Sequence, residues 1–269
     1  MIKDNLTQFA HFYLEIMETE ENVSFVKNPV ELSPESIRKW QAGEAALQVV
    51  SPDLNLKKLW DRFLKITGIC QKWQRESLIN GMFLRSLREL NPVQQVELLA
   101  DYLNLAPGRT RWGDILQAPV ELLDFIFLHT FKPMLHNYKE KLLGQLSLEE
   151  WDRGFCPICG AKPSMAKLTG REGSRQLFCA RCETQWGFRR LGCPYCNEGN
   201  STSASFLAFD DQNRYRVYLC EVCKTYLKTV DERKGRPVAD LFCEDLGTLI
   251  LDQIAQKEGY RRGDNRQLA

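Results

Sequence analysis

The sequence predicts an α+β protein in which an N-terminal all-α helical domain precedes two small tandem metal-binding modules and a C-terminal helix. Apolar residues recur at helical spacing through the first half of the chain, four C-x-x-C pairs lie in the second half, and one more amphipathic segment follows them. The expected divisions are residues 1–146 for the helical domain, 147–190 for the first module, 191–232 for the second module and 233–269 for the last helix and its tail.

The helical domain is predicted from apolar stripes and helix start signals. Residues 5–20 and 56–73 each place their apolar side chains on one helical face. Two further helices begin at Ser33-Pro34 and Asn91-Pro92, where a capping residue precedes a proline at the first helical position. Pro133 either kinks or divides the last apolar segment of this domain.

Five residues with reactive side chains lie outside the paired cysteine motifs. His11, His129 and His136 all fall in the helical domain, and we interpret them as ordinary helix residues. Cys70 lies on an apolar helical stripe, and Cys243 lies near the start of the last helix. Because a buried unliganded cysteine behaves as a small hydrophobe, both are predicted to pack in a core.

Eight cysteines form four C-x-x-C pairs and are the candidate metal ligands. They are Cys156, Cys159, Cys179, Cys182, Cys193, Cys196, Cys220 and Cys223. The first two pairs are separated by 19 residues and the last two by 23, with 10 residues between the halves, which indicates one module used twice. Two C-x-x-C turns joined by a hairpin supply the four sulfur atoms of a tetrahedral site. We therefore expect two metal ions, zinc or iron, each with four cysteine ligands.

The expected grouping places the first two pairs on one ion and the last two on the other. A cross-braced arrangement, in which pairs one and three share an ion, is the alternative that the short central spacer leaves open. A secreted disulfide framework is disfavoured because the N-terminus has no apolar signal core. A thioredoxin-like redox pair is disfavoured because it uses one C-x-x-C motif beside a βαβ unit, not four in tandem.

The modules are small enough to depend on their metals. A chain of about 30 residues is shorter than the roughly 40 at which a domain usually folds without a metal, a disulfide or a partner. Structural zinc contributes about 10–16 kcal/mol in small peptides, so metal removal is expected to unfold the modules. Gly160 and Asn197, directly after the first knuckle of each module, are residue types that accept positive φ at least cost.

The remaining elements of the second half follow from turn and strand signals. Residues 170–174 and 210–213 are turn-rich and are the predicted hairpin tips, and residues 225–230 are a predicted strand. Residues 240–256 have a helical apolar face. The polar tail from Gly259 is expected to be mobile.

Composition and charge limit the function classes. The chain has 269 residues, 43% of them hydrophobic, with a net charge of +1, and no apolar run reaches the length of a membrane span, so we expect a cytoplasmic protein. Residues 151–269 carry 19 basic and 15 acidic side chains, an excess that two four-thiolate divalent sites would neutralise. Nucleic acid is therefore a disfavoured partner. A local basic patch formed by Arg189, Arg190, Arg214 and Arg216 is the alternative, but we interpret these arginines as solvated strand residues on a hairpin.

Motifs for enzyme catalysis are missing from the sequence. It contains no G-x-S-x-G, no Walker A motif, no G-x-G-x-x-G after a strand and no H-E-x-x-H. A catalytic metal keeps an open coordination position, whereas four cysteines per ion would fill both sites. We therefore predict a protein that is not an enzyme.

Several motifs together resemble the formate dehydrogenase accessory protein family, FdhE. They include the Cys-Pro-x-Cys-Gly knuckle at 156–160, Cys-Ala-Arg-Cys-Glu-Thr-Gln-Trp at 179–186, Cys-Pro-Tyr-Cys at 193–196, Cys-Glu-Val-Cys at 220–223 with Tyr-Leu-Lys at 226–228, Pro-Val-Ala-Asp at 237–240, Glu-Asp-Leu at 244–246 and Glu-Gly-Tyr at 258–260. The motifs cover about residues 147–262, and the helical half matches in length and pattern only. Gln185 departs from the family pattern, which has an acidic residue there.

The resemblance implies two rubredoxin-like, or zinc-ribbon, modules behind a helical domain. It also implies a cytoplasmic accessory role in which the protein binds the catalytic subunit of formate dehydrogenase during assembly. The family metal is iron or zinc, held by the eight paired cysteines. The oligomeric state is left open, with a homodimer as one candidate. Alternative functions are a rubredoxin-like electron carrier that acts on the client's active site and, less favoured by charge, a nucleic-acid-binding zinc-ribbon protein.

Overall fold

A computed structural model describes residues 2–19, 25–28, 30–74, 78–199, 204–208 and 214–264. The helices, in chain order, are α1 (Ile2–Glu18), α2 (Pro34–Ala42), α3 (Ala46–Val49), α4 (Leu56–Trp73), α5 (Gly81–Glu89), α6 (Pro92–Leu103), α7 (Arg111–Leu116), α8 (Val120–Leu143), α9 (Leu241–Gly247) and α10 (Leu249–Lys257). The strands are β1 (Met165–Thr169), β2 (Ser174–Phe178), β3 (Gln185–Phe188), β4 (Ala204–Ala208), β5 (Tyr215–Cys220), β6 (Thr225–Asp231) and β7 (Arg261–Arg262). The fold class is confirmed, with a helical N-terminal part and mixed helix and sheet beyond it.

Two compact units make up the chain. The first contains residues 1–29 and 52–138, and the second contains residues 30–51 and 139–269. Within the described residues, every helix is too short or too polar to serve as a membrane span.

The first unit is held together by aromatic side chains on α4, α6 and α8. Phe127 lies at the centre of this cluster, with its ring centroid 4.8 Å from that of Phe63 and 4.1 Å from that of Tyr102. Buried Arg62 donates from its guanidinium to the carbonyl oxygen of His129. These contacts explain why the apolar stripes of the sequence fold as packed helices.

The helix start signals are confirmed. The Ser33 hydroxyl accepts a hydrogen bond from the Ser36 backbone N–H before α2, and the Asn91 side chain accepts one from Gln94 N–H before α6. Pro133 lies inside α8 and does not divide it. The short helices α3 and α7 were not predicted, because segments of four and six residues are too short to show an apolar stripe.

The described strands of the second unit form one mixed sheet. Its order is β3-β2-β1-β6-β5-β4, and β7 also pairs with β6. Each module supplies an antiparallel meander of three strands, and the meanders join where β1 runs parallel to β6, with Ala166 opposite Thr229. The strands of the two modules therefore form one continuous hydrogen-bonded sheet. The predicted turn at residues 170–174 is present, and the one at 210–213 lies outside the described residues.

The C-terminal segment differs from its prediction in two ways. The expected helix over 240–256 is divided into α9 and α10 at Thr248. The segment after Gly259 was expected to be a mobile tail, but Arg261 and Arg262 pair with β6 and the Arg262 side chain is buried. The reason is a set of buried carboxylates on α9 and α10 that receives the Arg262 guanidinium.

Candidate metal centres

The first candidate site contains the sulfur atoms of the first two C-x-x-C pairs. The Sγ atoms of Cys156, Cys159, Cys179 and Cys182 all lie within 4.8 Å of one another, and all four residues are buried. The Cys156 and Cys182 sulfurs are 3.3 Å apart, and the Cys159 and Cys179 sulfurs are 3.5 Å apart. This is the grouping that the sequence favoured over the cross-braced alternative.

The second candidate site contains the other four sulfur atoms in the same arrangement. Cys193, Cys196, Cys220 and Cys223 place their Sγ atoms within 4.8 Å of one another. The Cys193 and Cys223 sulfurs are 3.7 Å apart, as are those of Cys196 and Cys220. Here Cys196 is exposed and Cys223 is partly exposed.

Both sets of sulfur atoms fit a tetrahedral metal ion. A disulfide would bring two sulfurs to about 2.05 Å, and none of the ten cysteines is disulfide-bonded. A metal–sulfur bond of about 2.3 Å places the corners of a tetrahedron about 3.8 Å apart, close to the separations in both sites. Four thiolate donors suit zinc and iron alike, so the donor set does not choose between them.

All four C-x-x-C turns share one backbone feature. The residue directly after the second cysteine is left-handed in each: Gly160 at φ 75°, Glu183 at 58°, Asn197 at 62° and Lys224 at 52°. In each module the left-handed residue after the closing pair, Glu183 or Lys224, donates its N–H to the carbonyl oxygen of the first cysteine of that pair. The predictions for Gly160 and Asn197 are confirmed. Glu183 and Lys224 were missed because their residue types give no signal for this conformation.

In each module, a threonine hydroxyl lies within hydrogen-bond distance of the sulfur of the last cysteine. Thr184 Oγ1 lies 3.0 Å from the Cys182 sulfur, and Thr225 Oγ1 lies 2.8 Å from the Cys223 sulfur. A hydroxyl donor favours the thiolate form, which is the form that binds metal. A threonine two residues after the last cysteine of both modules was a repeated sequence signal for these contacts.

A segment that is distant in sequence closes the first site. Ala46 N–H and Leu47 N–H donate to the carbonyl oxygens of Pro157 and Ile158, both at 2.9 Å, within the first knuckle. The Trp40 indole N–H donates to the Pro157 carbonyl oxygen at 3.0 Å. Trp40 also stacks on Trp151, with ring centroids 5.1 Å apart. The local cysteine pattern could not indicate these contacts, because the partners lie more than 100 residues away.

The thiols of the first site do not ionise independently. Burial raises the pKa of Cys156 and Cys182 well above the ordinary value. Burial acts in the same direction on Cys159, but hydrogen bonds from the neighbouring thiols and the charge of Arg181 outweigh it and hold the pKa of Cys159 low. Four thiolates this close together in a buried site would require a cation, and a divalent metal ion would supply it.

The second site has a less uniform environment. Burial raises the pKa of Cys193 and, to a smaller extent, that of Cys196. Burial also acts on Cys223, but hydrogen bonds from Thr225 and the neighbouring thiols lower its pKa. The surroundings of Cys223 therefore favour its thiolate form, whereas those of Cys193 and Cys196 disfavour theirs.

The two cysteines outside the C-x-x-C motifs and the three histidines belong to neither four-sulfur group. Cys70 is buried in α4, as predicted, and burial raises the pKa of its thiol to about 12. Cys243 is exposed, so the prediction that it packs in a core was wrong; the buried residues of α9 are Leu241, Phe242 and Asp245. Among the described residues, neither four-sulfur group includes a histidine.

The arginines predicted to be solvated include one that is buried. Arg216 is buried and lies 3.0 Å from a carboxylate oxygen of buried Asp231. The interpretation of Arg216 as a solvated strand residue was wrong, since it forms an ion pair inside the second module. Arg189, Arg190 and Arg214 are half-buried.

Comparison with protein families places both sites in known domains. Residues 155–190 match the FdhE central domain, and residues 191–268 match the FdhE C-terminal domain. Residues 155–268 are thus similar to the FdhE family. Both groups of four cysteines lie inside the matched region, so the family match and the site geometry refer to the same residues.

Individual relatives of the FdhE family agree with this match. An FdhE homologue of Aquifex aeolicus is 31% identical over 144 residues, 52% of this chain and 50% of that protein. An FdhE protein of Escherichia coli is 35% identical over 113 residues, 41% of this chain and 36% of that protein. The chain thus spans about half the length of the first relative and little more than a third of the second.

A solved structure extends the likeness to the whole fold. The crystal structure of the FdhE protein from Pseudomonas aeruginosa aligns with 97% of this chain and 86% of that chain at a TM-score of 0.62. Sequence identity in this alignment is 20%, so it supports the fold alone.

Proposed function

We propose that this protein is a cytoplasmic accessory factor in the maturation of formate dehydrogenase, and that it binds the catalytic subunit of that enzyme during assembly. The observation that carries the proposal is the match of residues 155–268 to two FdhE domains that contain both four-cysteine groups. No catalytic step by this chain is required, because its role is to hold a partly assembled client.

The two metal ions, zinc or iron, would act as crosslinks that fix the four knuckles. Bound by four thiolates each, they would replace the large hydrophobic core that such small modules lack. The knuckles of the second module carry exposed apolar side chains, with Leu191 just before Cys193 and Val222 between Cys220 and Cys223. Exposed apolar groups beside a rigid turn are suited to contact with a client protein.

Capture of the catalytic subunit under anaerobic conditions tests this function. Tagged wild-type protein is expected to retain the formate dehydrogenase catalytic subunit from lysate in which both are expressed. Leu191→Asp and Val222→Asp are expected to reduce that retention about tenfold, since each places a charge on the proposed contact surface. Ile250→Asp is the matched control, because Ile250 is similarly exposed but lies on α10. Absence of capture by the wild-type protein would contradict the proposed function.

A second candidate, electron transfer to the client, is favoured by the exposure of Cys196. An iron ion at the second site would lie near the surface, whereas zinc has no redox chemistry. Metal analysis and a visible spectrum of protein purified without oxygen distinguish the two functions. Colourless protein with two zinc ions would exclude the electron carrier and leave the accessory role intact.

A further inference from the structure

Arg175 joins the first module to the metal-binding turn of the second. It lies on β2 and is only 3% exposed. Its Nη1 atom donates to the carbonyl oxygen of Gly192 at 2.8 Å, and Gly192 directly precedes the ligand candidate Cys193. Gly192 has φ +103°, and a Cβ atom there would lie 2.8 Å from the Glu198 carbonyl oxygen. Only glycine presents its carbonyl oxygen to Arg175 in this way.

No carboxylate within the described residues forms an ion pair with Arg175. Its Nε atom is buried and makes no hydrogen bond there. Its guanidinium carbon lies 4.9 Å from the ring centroid of Tyr218, which is a cation–π contact. A buried cation–π contact recovers only part of the free energy that is lost when a charge leaves water without a partner of opposite charge. The tyrosine therefore does not balance the burial of this charge.

Arg175 shares a cleft with two cysteines of the second four-cysteine site. Arg175, Cys193 and Cys220 line the same cleft, together with Tyr218 and Glu198. Four thiolates around a divalent ion carry a net charge of about −2, which a guanidinium in a poorly solvated cleft stabilises strongly. Burial lowers the pKa of Arg175, and Tyr218 and a negative charge on Cys193 act against this effect.

We propose that Arg175 is the counter-ion of the second four-cysteine site, so that a residue of the first module controls how firmly the second module retains its metal. This inference rests on metal binding at the second site and not on the identity of the client. The sheet explains how Arg175 reaches Gly192. Arg175 of β2 pairs with Phe188 of β3, and Phe188 is four residues before Gly192 in the chain. The first module must be folded before the second site has its counter-ion.

Metal release from the full-length protein tests the proposal. Wild-type protein and the variants Arg175→Met, Arg175→Lys and Arg190→Met are loaded with cadmium-113 and mixed with excess chelator. The two sites are followed separately by their cadmium resonances, assigned with Cys156→Ser and Cys223→Ser variants. Arg190 is a matched control because it donates to the Tyr218 hydroxyl at 3.2 Å but does not line the cleft.

Arg175→Met is expected to speed release from the second site at least tenfold and to leave the first site unchanged. Arg175→Lys keeps the charge and is expected to release within about threefold of wild type, as is Arg190→Met. Equal release by Arg175→Met and wild type would overturn the proposal. The proposal would also be overturned if Arg175→Lys released metal from the second site as fast as Arg175→Met. The packing and hydrogen bonds of the guanidinium, and not its positive charge, would then retain the metal.

Iron-loaded protein provides an independent readout of charge. Loss of a positive group beside an iron–thiolate site disfavours the more negative reduced state, so Arg175→Met is expected to lower one of the two midpoint potentials. A purely structural role would move neither potential. If Arg175→Met does not load metal, the test depends on Arg175→Lys alone. Release from its second site tenfold faster than from wild type would overturn the proposal, and a release rate near that of wild type would support it.

Discussion

The two four-cysteine sites share one plan but differ in what covers them. Each site has four sulfur atoms at tetrahedral separations, two residues with left-handed backbone and a threonine hydroxyl close to the sulfur of its last cysteine. The first site is buried beneath Trp40 and the α3 backbone, whereas the second has an exposed ligand in Cys196. The knuckle is therefore determined by local sequence, whereas its protection from solvent comes from distant parts of the chain.

Each site also depends on a different anchor. The first knuckle receives backbone hydrogen bonds from Ala46 and Leu47. The second module rests on a buried ion network in which Lys228 of β6 and Arg262 of β7 each pair with Asp245 and Asp252. These anchors make the two sites separately testable.

Metal removal from both sites should have the largest effect. Each ion is expected to contribute about 10–16 kcal/mol, comparable to the stability of a whole domain, so stripping both should unfold the sheet. Hydrogen exchange in β1, β2, β5 and β6 measures this. The aromatic core around Phe127 in the first unit is the internal control and should keep its protection. Unchanged protection of the strands in metal-free protein would contradict metal-dependent folding.

Breaking the buried ion network should weaken the second module. Asp252 is 3% exposed and accepts from Lys228, Arg262 and Tyr226, all at 2.7 Å. Asp252→Asn breaks its ion pairs with Lys228 and Arg262, leaves Asp245 as the carboxylate that both cations share, and is expected to cost about 3 kcal/mol. Denaturant-dependent hydrogen exchange in β6 gives the change in free energy of opening.

The matched control for the ion network is Glu258→Gln at the exposed end of α10. It should change the free energy of opening by less than about 0.5 kcal/mol, as is usual for surface substitutions. If Asp252→Asn were equally mild, the network would not anchor the second module.

Removing Trp40 should affect the first site alone. Trp40→Ala deletes the stack on Trp151 and the hydrogen bond to Pro157, and loss of a buried tryptophan costs about 3–5 kcal/mol. Release of metal from the first site should become faster, with no change at the second. Trp112→Ala is the control, since Trp112 is equally buried but belongs to the first unit. If both variants accelerated metal release from the first site equally, the cause would be a general loss of stability and not the removal of the side chain that covers this site.

In the wild-type protein, the exposed site should lose its metal first. A chelator reaches the Cys196 sulfur without local unfolding, while the first site must open before its ligands are accessible. We expect at least a tenfold difference in release rate at neutral pH. Native mass spectrometry should therefore show a long-lived species with one ion, assigned to the first site by its loss in Cys156→Ser. Simultaneous release of both ions would contradict the comparison.

The sequence predicted what depends on neighbouring residues. The cysteine spacing indicated the two groups of four, and Gly160 and Asn197 were identified as left-handed because their residue types favour it. The sequence could not show that β1 pairs with β6, or that Arg262 leaves the polar tail for a buried network. Those contacts join segments with no common periodicity, and a charged residue looks the same in sequence whether its partner is water or a buried aspartate.

The smallest effect concerns the left-handed residue that the sequence did not reveal. Glu183 has φ 58° in the first site, at the position where Gly160 and Asn197 close other turns without a penalty. Glu183→Gly removes this strain and is expected to stabilise the first module by about 0.5–1 kcal/mol. Gln185→Gly, two residues later in β3 with ordinary φ, should instead destabilise it by a similar amount, because glycine loses more entropy in a strand. Opposite signs in denaturant-dependent hydrogen exchange of β2 would show that backbone conformation, not loss of a side chain, decides the outcome, and equal signs would refute it.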